Sequence, residues 1–344
     1  LVEQKSSGTE AQVAETLARS FRGKRVLLTG GLGFIGSSLA LRLLDLGASV
    51  TVLDALIPDY GGNPFNLHPH YDQFQIIQAN VTQARIVNDL VQGQDFIFHC
   101  AGQVSHVLGL RDPYPDLEYT IKGTAVLMEA CRHNNLAAKV IKTGTRGQYG
   151  PVQKLPVGEE APSNPRGIYE ISNLAAEKIM KVYHDVHGMA CVLLRLTNIY
   201  GPRSQMKSHH FGVANWFIRQ AMEGQTIRVF GDGSTLRDFL YIDDCVQAML
   251  LCAICPEARG EVINLGNGQP VSLLELVKLI IAAVGKGQWE FAEFSAERKA
   301  SEPGDFYADI SKLRRLVGWE PSVGLAEGLA ATVDYYRKYR QHYW

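Results

Sequence analysis

Thr29-Gly30-Gly31-Leu32-Gly33-Phe34-Ile35-Gly36 is the stretch on which the reading of this chain turns. It follows a β-rich run, Arg25–Thr29 (RVLLT), and opens a stretch, Ile35–Leu46, with helical periodicity that ends at Gly47, a natural C-cap. The glycines at 30, 33 and 36 give GxxGxxG. A tight turn needs a residue without Cβ, and close approach of a pyrophosphate needs bare backbone. The helix N-terminus then offers free N–H groups and a positive dipole end to phosphates. A second β-rich run, Ser49–Leu53 (SVTVL), is closed by Asp54, 24 residues after Gly30. A carboxylate there can accept both ribose hydroxyls and repels a 2′-phosphate. No Arg or Lys follows it in Asp54-Ala55-Leu56, so the expected dinucleotide is NAD rather than NADP.

Outward from this loop, strands are expected near Phe74–Ala79, Phe96–Cys100 and Lys139–Thr143, with helical segments near Thr82–Val91 and Asp116–Arg132 between them. Strands alternating with helices imply a parallel sheet covered on both faces. The expected fold is therefore α/β, a Rossmann-type doubly wound parallel sheet with a smaller α/β substrate lobe. Farther on, Ile168–His187 reads as a long helix and Cys191–Leu196 as a strand. A polar, glycine-containing loop, Gly201–Gly212, precedes the helix Val213–Glu223. Short strands near Ile227–Phe230 and Glu261–Asn264 flank the helix Asp243–Ala253, and Leu273–Val284, Ile310–Leu316 and Leu325–Tyr339 read as helices. The expected division is an N-terminal extension over 1–20, a dinucleotide domain over 21–197 and a substrate lobe over 198–344, with about 227–264 partly returning to the first domain. The first residues, LVEQKSSGTE, are set aside as a processed end or a remnant.

The chain has 344 residues, and 34 Lys+Arg against 35 Asp+Glu leave a formal net charge of −1. That near-neutral balance argues against nucleic acid or an anionic membrane as the main partner. No window approaches about 18 uninterrupted apolar residues, so no spanning helix is expected. No basic leader with an apolar core is visible either. The six cysteines need not form a disulfide framework in a chain of this length. Cys252-x-x-Cys255 lies inside an apolar helical run with no second pair to complete a metal site, so both read as helix residues. Reduced cysteines fit a cytoplasmic location, which is the expectation.

With these features in place, the sequence resembles the extended short-chain dehydrogenase/reductase family, specifically its nucleotide-sugar epimerases, dehydratases and decarboxylases. The resemblance covers nearly the whole chain after about Phe21. It rests on GGLGFIG at 30–36, Asp54, His99-Cys100-Ala101-Gly102-Gln103, Asp112-Pro113, Gly123-Thr124 and Thr143-Gly144-Thr145 before Tyr149-Gly150. It continues through Tyr169, Arg195-x-x-Asn198-x-Tyr200-Gly201-Pro202-Arg203, Val229-Phe230-Gly231-Asp232-Gly233 and Arg237-Asp238, then Pro303-Gly304-Asp305 and Gly318-Trp319-x-Pro321. These motifs are specific for the family and poorly specific for the sugar. The resemblance implies Tyr169 as acid/base, taking a proton from a sugar hydroxyl while hydride passes to NAD, and Thr145 as its hydroxyl partner, with Thr143 the alternative. It implies cofactor contacts at Gly30, Gly33, Phe34, Ile35, Gly36, Asp54, Asn80, Val81, Ala101, Gly102, Gln103, Thr143, Tyr169 and Asn173. On the substrate side it implies Thr145, Asn198, Arg203, Val229, Arg237 and Asp305. NAD is expected to stay bound through turnover, no metal is expected, and a homodimer built from helices like 116–132 and 168–187 is implied.

Three departures from the family pattern matter. The lysine expected four residues after Tyr169 is Asn173. An unperturbed tyrosine with a pKa of about 10 is only about 0.1% ionised at pH 7, and ionising it there costs about 4 kcal/mol. An ammonium relieves part of that cost, whereas Asn can donate a hydrogen bond but carries no charge. Another cation could substitute, with Arg146, Lys142 and Lys122 as candidates beside the positive nicotinamide. Alternatively the protein is slow or binds without catalysis, or Asn173 was introduced to trap a complex. The second departure is Arg146-Gly147, where the family's 4,6-dehydratases carry an Asp-Glu pair for water loss. Decarboxylases usually place a Glu nearby too, so epimerisation leads by elimination. The third is Thr120, where relatives commonly show Asn. The leading function is an NAD-dependent nucleotide-sugar 4-epimerase. A UDP-glucuronate decarboxylase-like or 4,6-dehydratase-like enzyme, and a protein that binds NAD and nucleotide sugar with little catalysis, stay open. His209-His210 read as exposed loop histidines, and His184 and His187 as a surface helix face.

Overall fold

The computed structural model describes residues 2–208, 211–293 and 304–344, with the side chains of 2–10 and 106 outside that description. His209-His210 and Pro303 therefore lie outside the described residues. Seven parallel strands form the central sheet: β1 (Arg25–Thr29), β2 (Ser49–Asp54), β3 (Gln75–Gln78), β4 (Phe96–His99), β5 (Lys139–Thr145), β6 (Ala190–Leu196) and β10 (Val262–Leu265). Their spatial order is β10-β6-β5-β4-β1-β2-β3. The chain thus builds outward from β1 to β3, returns, and builds the other way from β4. The reversal leaves a crevice at the carboxyl ends of β1 and β4, where open α/β sheets take their ligands.

Both faces of the sheet are apolar, as two-sided burial requires. Val26, Leu28, Phe98, Ile141, Val192 and Leu194 pack on one side with α2 (Phe34–Asp45) and α8 (Ile242–Ile254). Leu27, Ile97, Val140, Cys191 and Leu193 face the other side with α3 (Ala84–Leu90), α5 (Gly123–Asn134) and α6 (Ile168–His187). Helix α6 ends where Gly188 takes a left-handed conformation that residues with a Cβ resist. The segment Asp116–Lys122, expected to be ordinary helix, is π-helical and runs straight into α5. The stretch expected as an extension over 1–20 lies in α1 (Val2–Phe21). Its last turn inserts Leu17 and Phe21 into the core, with the Phe21 ring 4.9 Å from that of Phe96.

Beyond β6 a single residue, Thr197, leads into β7 (Asn198–Tyr200), which pairs with β9 (Leu236–Tyr241). β9 also carries β11 (Pro270–Ser272), and β8 (Thr226–Phe230) pairs with β12 (Gln288–Ala292). Helices α4 (His106–Arg111), α7 (Val213–Glu223), α9 (Leu273–Val284), α10 (Ser311–Val317) and α11 (Leu325–Tyr339) complete the chain. Arg237-Asp238 sits on β9. Asp238 is fully buried and accepts backbone N–H bonds from Asn267 (2.7 Å), Gly268 (3.1 Å) and Ala308 (3.0 Å). These donors offset the cost of burying its charge and tie three segments to β9.

A buried ion pair ties α6 to the sheet. Arg195 Nε and Nη2 donate to Glu177 at 2.8 Å each, and Gln148 Nε2 donates to the same carboxylate at 2.7 Å. The Arg195 guanidinium also lies 4.4 Å from the centre of the Tyr149 ring. Removing one partner strands the other's charge. Arg195→Met is therefore expected to lower stability by about 3–5 kcal/mol, measured from urea unfolding midpoints, with Arg195→Met/Glu177→Met recovering much of the loss.

Candidate active site

The glycine turn is built by contact as well as conformation. Gly30 has φ +70°, and a Cβ there would stand 2.8 Å from the backbone nitrogen of Ala101. A Cβ on Gly36 would collide with the Gly30 carbonyl oxygen. Gly33 is less constrained: a Cβ there would find its nearest neighbour, the Gly30 carbonyl oxygen, at 3.3 Å. It forms the N-cap of α2 with no side-chain cap. No side chain caps the N-terminus of α2, and the Gly33 N–H itself turns back to the Gly30 carbonyl oxygen at 3.2 Å. Asp54 sits at the end of β2 with one oxygen accepting from Leu32 N (3.0 Å) and the other from Leu56 N (2.9 Å). Burial pushes its carboxyl above the usual range, against the pull of those two bonds. A groove runs from Gly30, Gly33 and Asp54 past Asn80 and Val81 to Cys100, Ala101 and Gly102. Bare glycine backbone, an uncapped helix start and a carboxylate at the second strand's end are the donor set a dinucleotide needs, so the residues fit NAD.

The other expected cofactor contacts divide. Phe34 and Ile35 open α2 beside the turn. Thr143, near the end of β5, donates to His99 O at 3.4 Å. Gln103 is turned inward: its amide donates to Ser105 O at 2.7 Å and its amide oxygen accepts from Ser105 N, so its side chain serves the loop. His99, under the turn, is bonded to Thr29 (2.7 Å) and Thr124 (3.0 Å) and is held neutral by burial.

Tyr169 lies in the first turn of α6, after an uncapped Gly167. Thr145 ends β5 and starts a 3-10 turn, where its hydroxyl accepts from Gly147 N at 3.2 Å. Gln148 Oε1 closes the capping box by accepting from Thr145 N at 2.9 Å. Helix and strand thereby bring the Tyr169 and Thr145 hydroxyls together. Burial pushes the Tyr169 phenol up and the Glu170 carboxylate adds to this, whereas the Thr145 hydrogen bond and the Arg146 guanidinium pull it down. Asn173 is 5% exposed, and its amide donates back along the helix to Tyr169 O at 2.9 Å.

Two carboxylates near the phenol escaped the sequence reading. Asp116, from the π-helical segment, is fully buried with neither oxygen hydrogen-bonded. Burial, then Glu170 and Asp112, pushes it up to about 7. Glu170 packs against Gly147, where a Cβ would lie 2.6 Å from its Cγ. Nothing in the local sequence signals either, because Asp116 and Glu170 meet only through the packing of two helices.

The expected substrate residues also divide. Asn198 Oδ1 accepts from Arg146 Nε at 3.2 Å, close to the Tyr169–Thr145 pair. Arg237 is largely buried and its guanidinium donates to Leu236 O (2.9 Å) and Gly304 O (2.6 Å). Asp305 holds β9 by accepting from Leu236 N at 2.9 Å, which makes it a backbone anchor. Arg203 Nε donates to Ser38 Oγ on α2 at 3.1 Å, and the guanidinium lies 5.9 Å from the Tyr335 ring. Val229, expected on the substrate side, has its side chain buried with that of Ile227, because strand alternation points both inward. Among the described residues no cluster of three or more His, Cys, Asp or Glu could hold a metal. No described helix is long and apolar enough to cross a membrane.

A doubly wound sheet with a dinucleotide groove beside a tyrosine–threonine pair defines a nicotinamide-dependent α/β protein. Residues 26–266 match the model of the NAD dependent epimerase/dehydratase family, and the chain belongs to that family. It is 35% identical to a UDP-glucose 4-epimerase of Mycolicibacterium smegmatis, over 92% of this chain and all of that protein. It is 31% identical to a dTDP-glucose 4,6-dehydratase of Streptomyces niveus, over 92% of this chain and 94% of that one. A solved epimerase from Methanothermobacter thermautotrophicus superposes with a TM-score of 0.88 at 26% identity, covering 95% of this chain and 96% of that one. The family cofactor, NAD, agrees with the sequence reading.

Proposed function

We propose that the protein is an NAD-dependent nucleotide-sugar 4-epimerase. The observation that carries this reading is the Tyr169–Thr145 hydroxyl pair at the carboxyl edge of the sheet, beside the groove that fits NAD. Bound NAD supplies reversible hydride acceptance. Thr145, fixed by its capping box, orients a sugar hydroxyl toward Tyr169. Tyr169 takes that hydroxyl's proton and returns it after the keto sugar has turned over. Arg146 favours the phenolate, which the partly buried setting of Tyr169 otherwise opposes. Asp54 fixes the adenosine ribose through the lone pairs its two backbone bonds leave. A nucleotide sugar is the expected substrate, and Asn198 and Arg237 lie on the strands that would meet its diphosphate.

A 4,6-dehydratase-like reaction is the second reading. What favours it is the Asp116–Glu170 pair beside Tyr169, which returns carboxylates to a place where Arg146-Gly147 offers none. We also infer a homodimer, since Val182 and Val186 of α6 and Leu117 of the π-helical segment are exposed. The deciding experiment is incubation with UDP-, GDP-, CDP- and dTDP-sugars, with products read by mass spectrometry and NMR. An isomer of unchanged mass from one sugar is expected. Loss of water supports the second reading, and binding without turnover over many hours overturns both.

A further inference from the structure

We propose that Lys142 supplies, from β5, the cofactor-facing ammonium that α6 lacks at position 173. The inference rests on the NAD-dependent reading above. Side chains alternate along a strand. Val140 packs with Met180 of α6 in the apolar cluster on that face, so Lys142 points to the same face. There it is only 4% exposed, an unusual place for a lysine. On α6, Tyr169, Asn173 and Glu177 succeed one another at four-residue steps and so share one side of the helix. Lys142 is close enough to Glu177 to feel its charge and to the Cys100 thiol, which lines the dinucleotide groove. Lys142 therefore stands on the sheet face that α6 covers, within electrostatic reach of a residue of the groove and of one on the tyrosine-bearing helix.

Its bonding leaves capacity for a ligand. Among the described residues the ammonium has one hydrogen bond, to Thr143 O at 3.1 Å, and an ammonium has three donors. Glu177 does not neutralise it by contact, because Arg195 and Gln148 take both carboxylate oxygens. Asn173 gives one of its two amide N–H donors to its own helix and carries no charge. A buried cation with two spare donors, next to a neutral amide where a charge is wanted, is costly unless a ligand accepts from it. Arg146 already acts on the phenol, so the two tasks that one lysine would perform are divided between two residues of β5 and the turn after it.

The test measures NAD affinity of nucleotide-free protein by calorimetry, with melting temperature alongside, for the parent, Lys142→Met, Asn173→Lys and Lys142→Met/Asn173→Lys. Lys142→Met is expected to keep or raise the melting temperature, since a buried charge is removed. It is also expected to bind NAD about tenfold to a hundredfold more weakly, as loss of hydrogen bonds to a charged group implies. The double variant should recover most of that affinity. Asn173→Lys alone should gain nothing, because two ammoniums would compete for one space. The pH profile is a second readout. Burial holds Lys142 down at about 8, with His99 of β4, Cys100 and the Arg195-paired Glu177 around it. A ligand that needs the protonated form binds fully below that pH and progressively worse above it. Parent affinity should fall above about pH 8, and that of Lys142→Met should stay flat.

Lys142→Met binding NAD within twofold of the parent overturns the proposal, as does Asn173→Lys alone raising affinity. A parent that binds NAD but converts no sugar overturns the proposed reaction and leaves the Lys142 result standing. A parent that does not bind NAD overturns both.

Discussion

Tyr169→Phe is expected to cut turnover by about 10²–10⁴-fold, the usual worth of one positioned acid/base, while NAD affinity and melting temperature hold. The phenyl ring keeps the packing of the first turn of α6, and only the proton carrier is lost. Single-turnover nicotinamide absorbance on the sugar identified by the panel is the measurement. Retained turnover would move the proton chemistry to another group, with Asp116 the first candidate. The parent has a further signature. Burial and Glu170 hold the phenol above its ordinary value, so the phenolate is scarce at neutral pH. With NAD saturating, kcat should climb with pH through the weakly alkaline range, because the reactive form is gained as the proton leaves. A kcat falling over that range would exclude Tyr169 as base.

Gly36→Ala is expected to have the largest effect on the cofactor side. The added methyl would meet the Gly30 carbonyl and stand 2.8 Å from Gly31 Cα, both backbone atoms of the turn itself. Backbone cannot swing aside as a side-chain end can. A loss of about 3 kcal/mol, the upper end for an overpacked site, should accompany loss of measurable NAD binding. Gly33→Ala is the informative contrast, since its methyl meets only the Gly30 carbonyl oxygen, at 3.3 Å, a contact that a shift of a few tenths of an ångström relieves. That variant should melt within a few degrees of the parent and still bind NAD poorly, because the methyl occupies space a pyrophosphate needs. Equal melting temperatures for the two variants would show that Gly36 packs less tightly than its contacts indicate. Normal NAD affinity in Gly33→Ala would place the phosphates elsewhere.

The central sheet was readable because its signals are local. RVLLT, SVTVL and their successors are short apolar runs, and the glycine turn marks where strand passes to helix. β9 was not readable, because Arg237 and Asp238 put charges in mid-strand and their satisfaction comes from Asn267, Gly268, Ala308 and Gly304, all distant in sequence. The burial of the Val229 side chain is legible from its alternation with Ile227. At the site, Tyr169 and Thr145 followed from the family resemblance alone. Asp116 and Glu170 could not, since a helix-to-helix contact leaves no mark in either segment. Leu17, within the stretch expected as an extension, is a core residue beside Phe21.

The course of the chain limits how this protein can be recombined with its relatives. After β6 it leaves the large sheet for the small ones, then comes back so that α8 covers α2 and β10 extends the large sheet at its edge. Tyr149 already waits there, its hydroxyl donating to Asn264 Oδ1 at 2.7 Å. A chimera cut once, after Thr197, would therefore join a sheet from one parent to an edge strand and a covering helix from another. Transplanting sugar preference between relatives calls for at least three crossovers, with 242–265 travelling alongside the first 197 residues as part of the recipient.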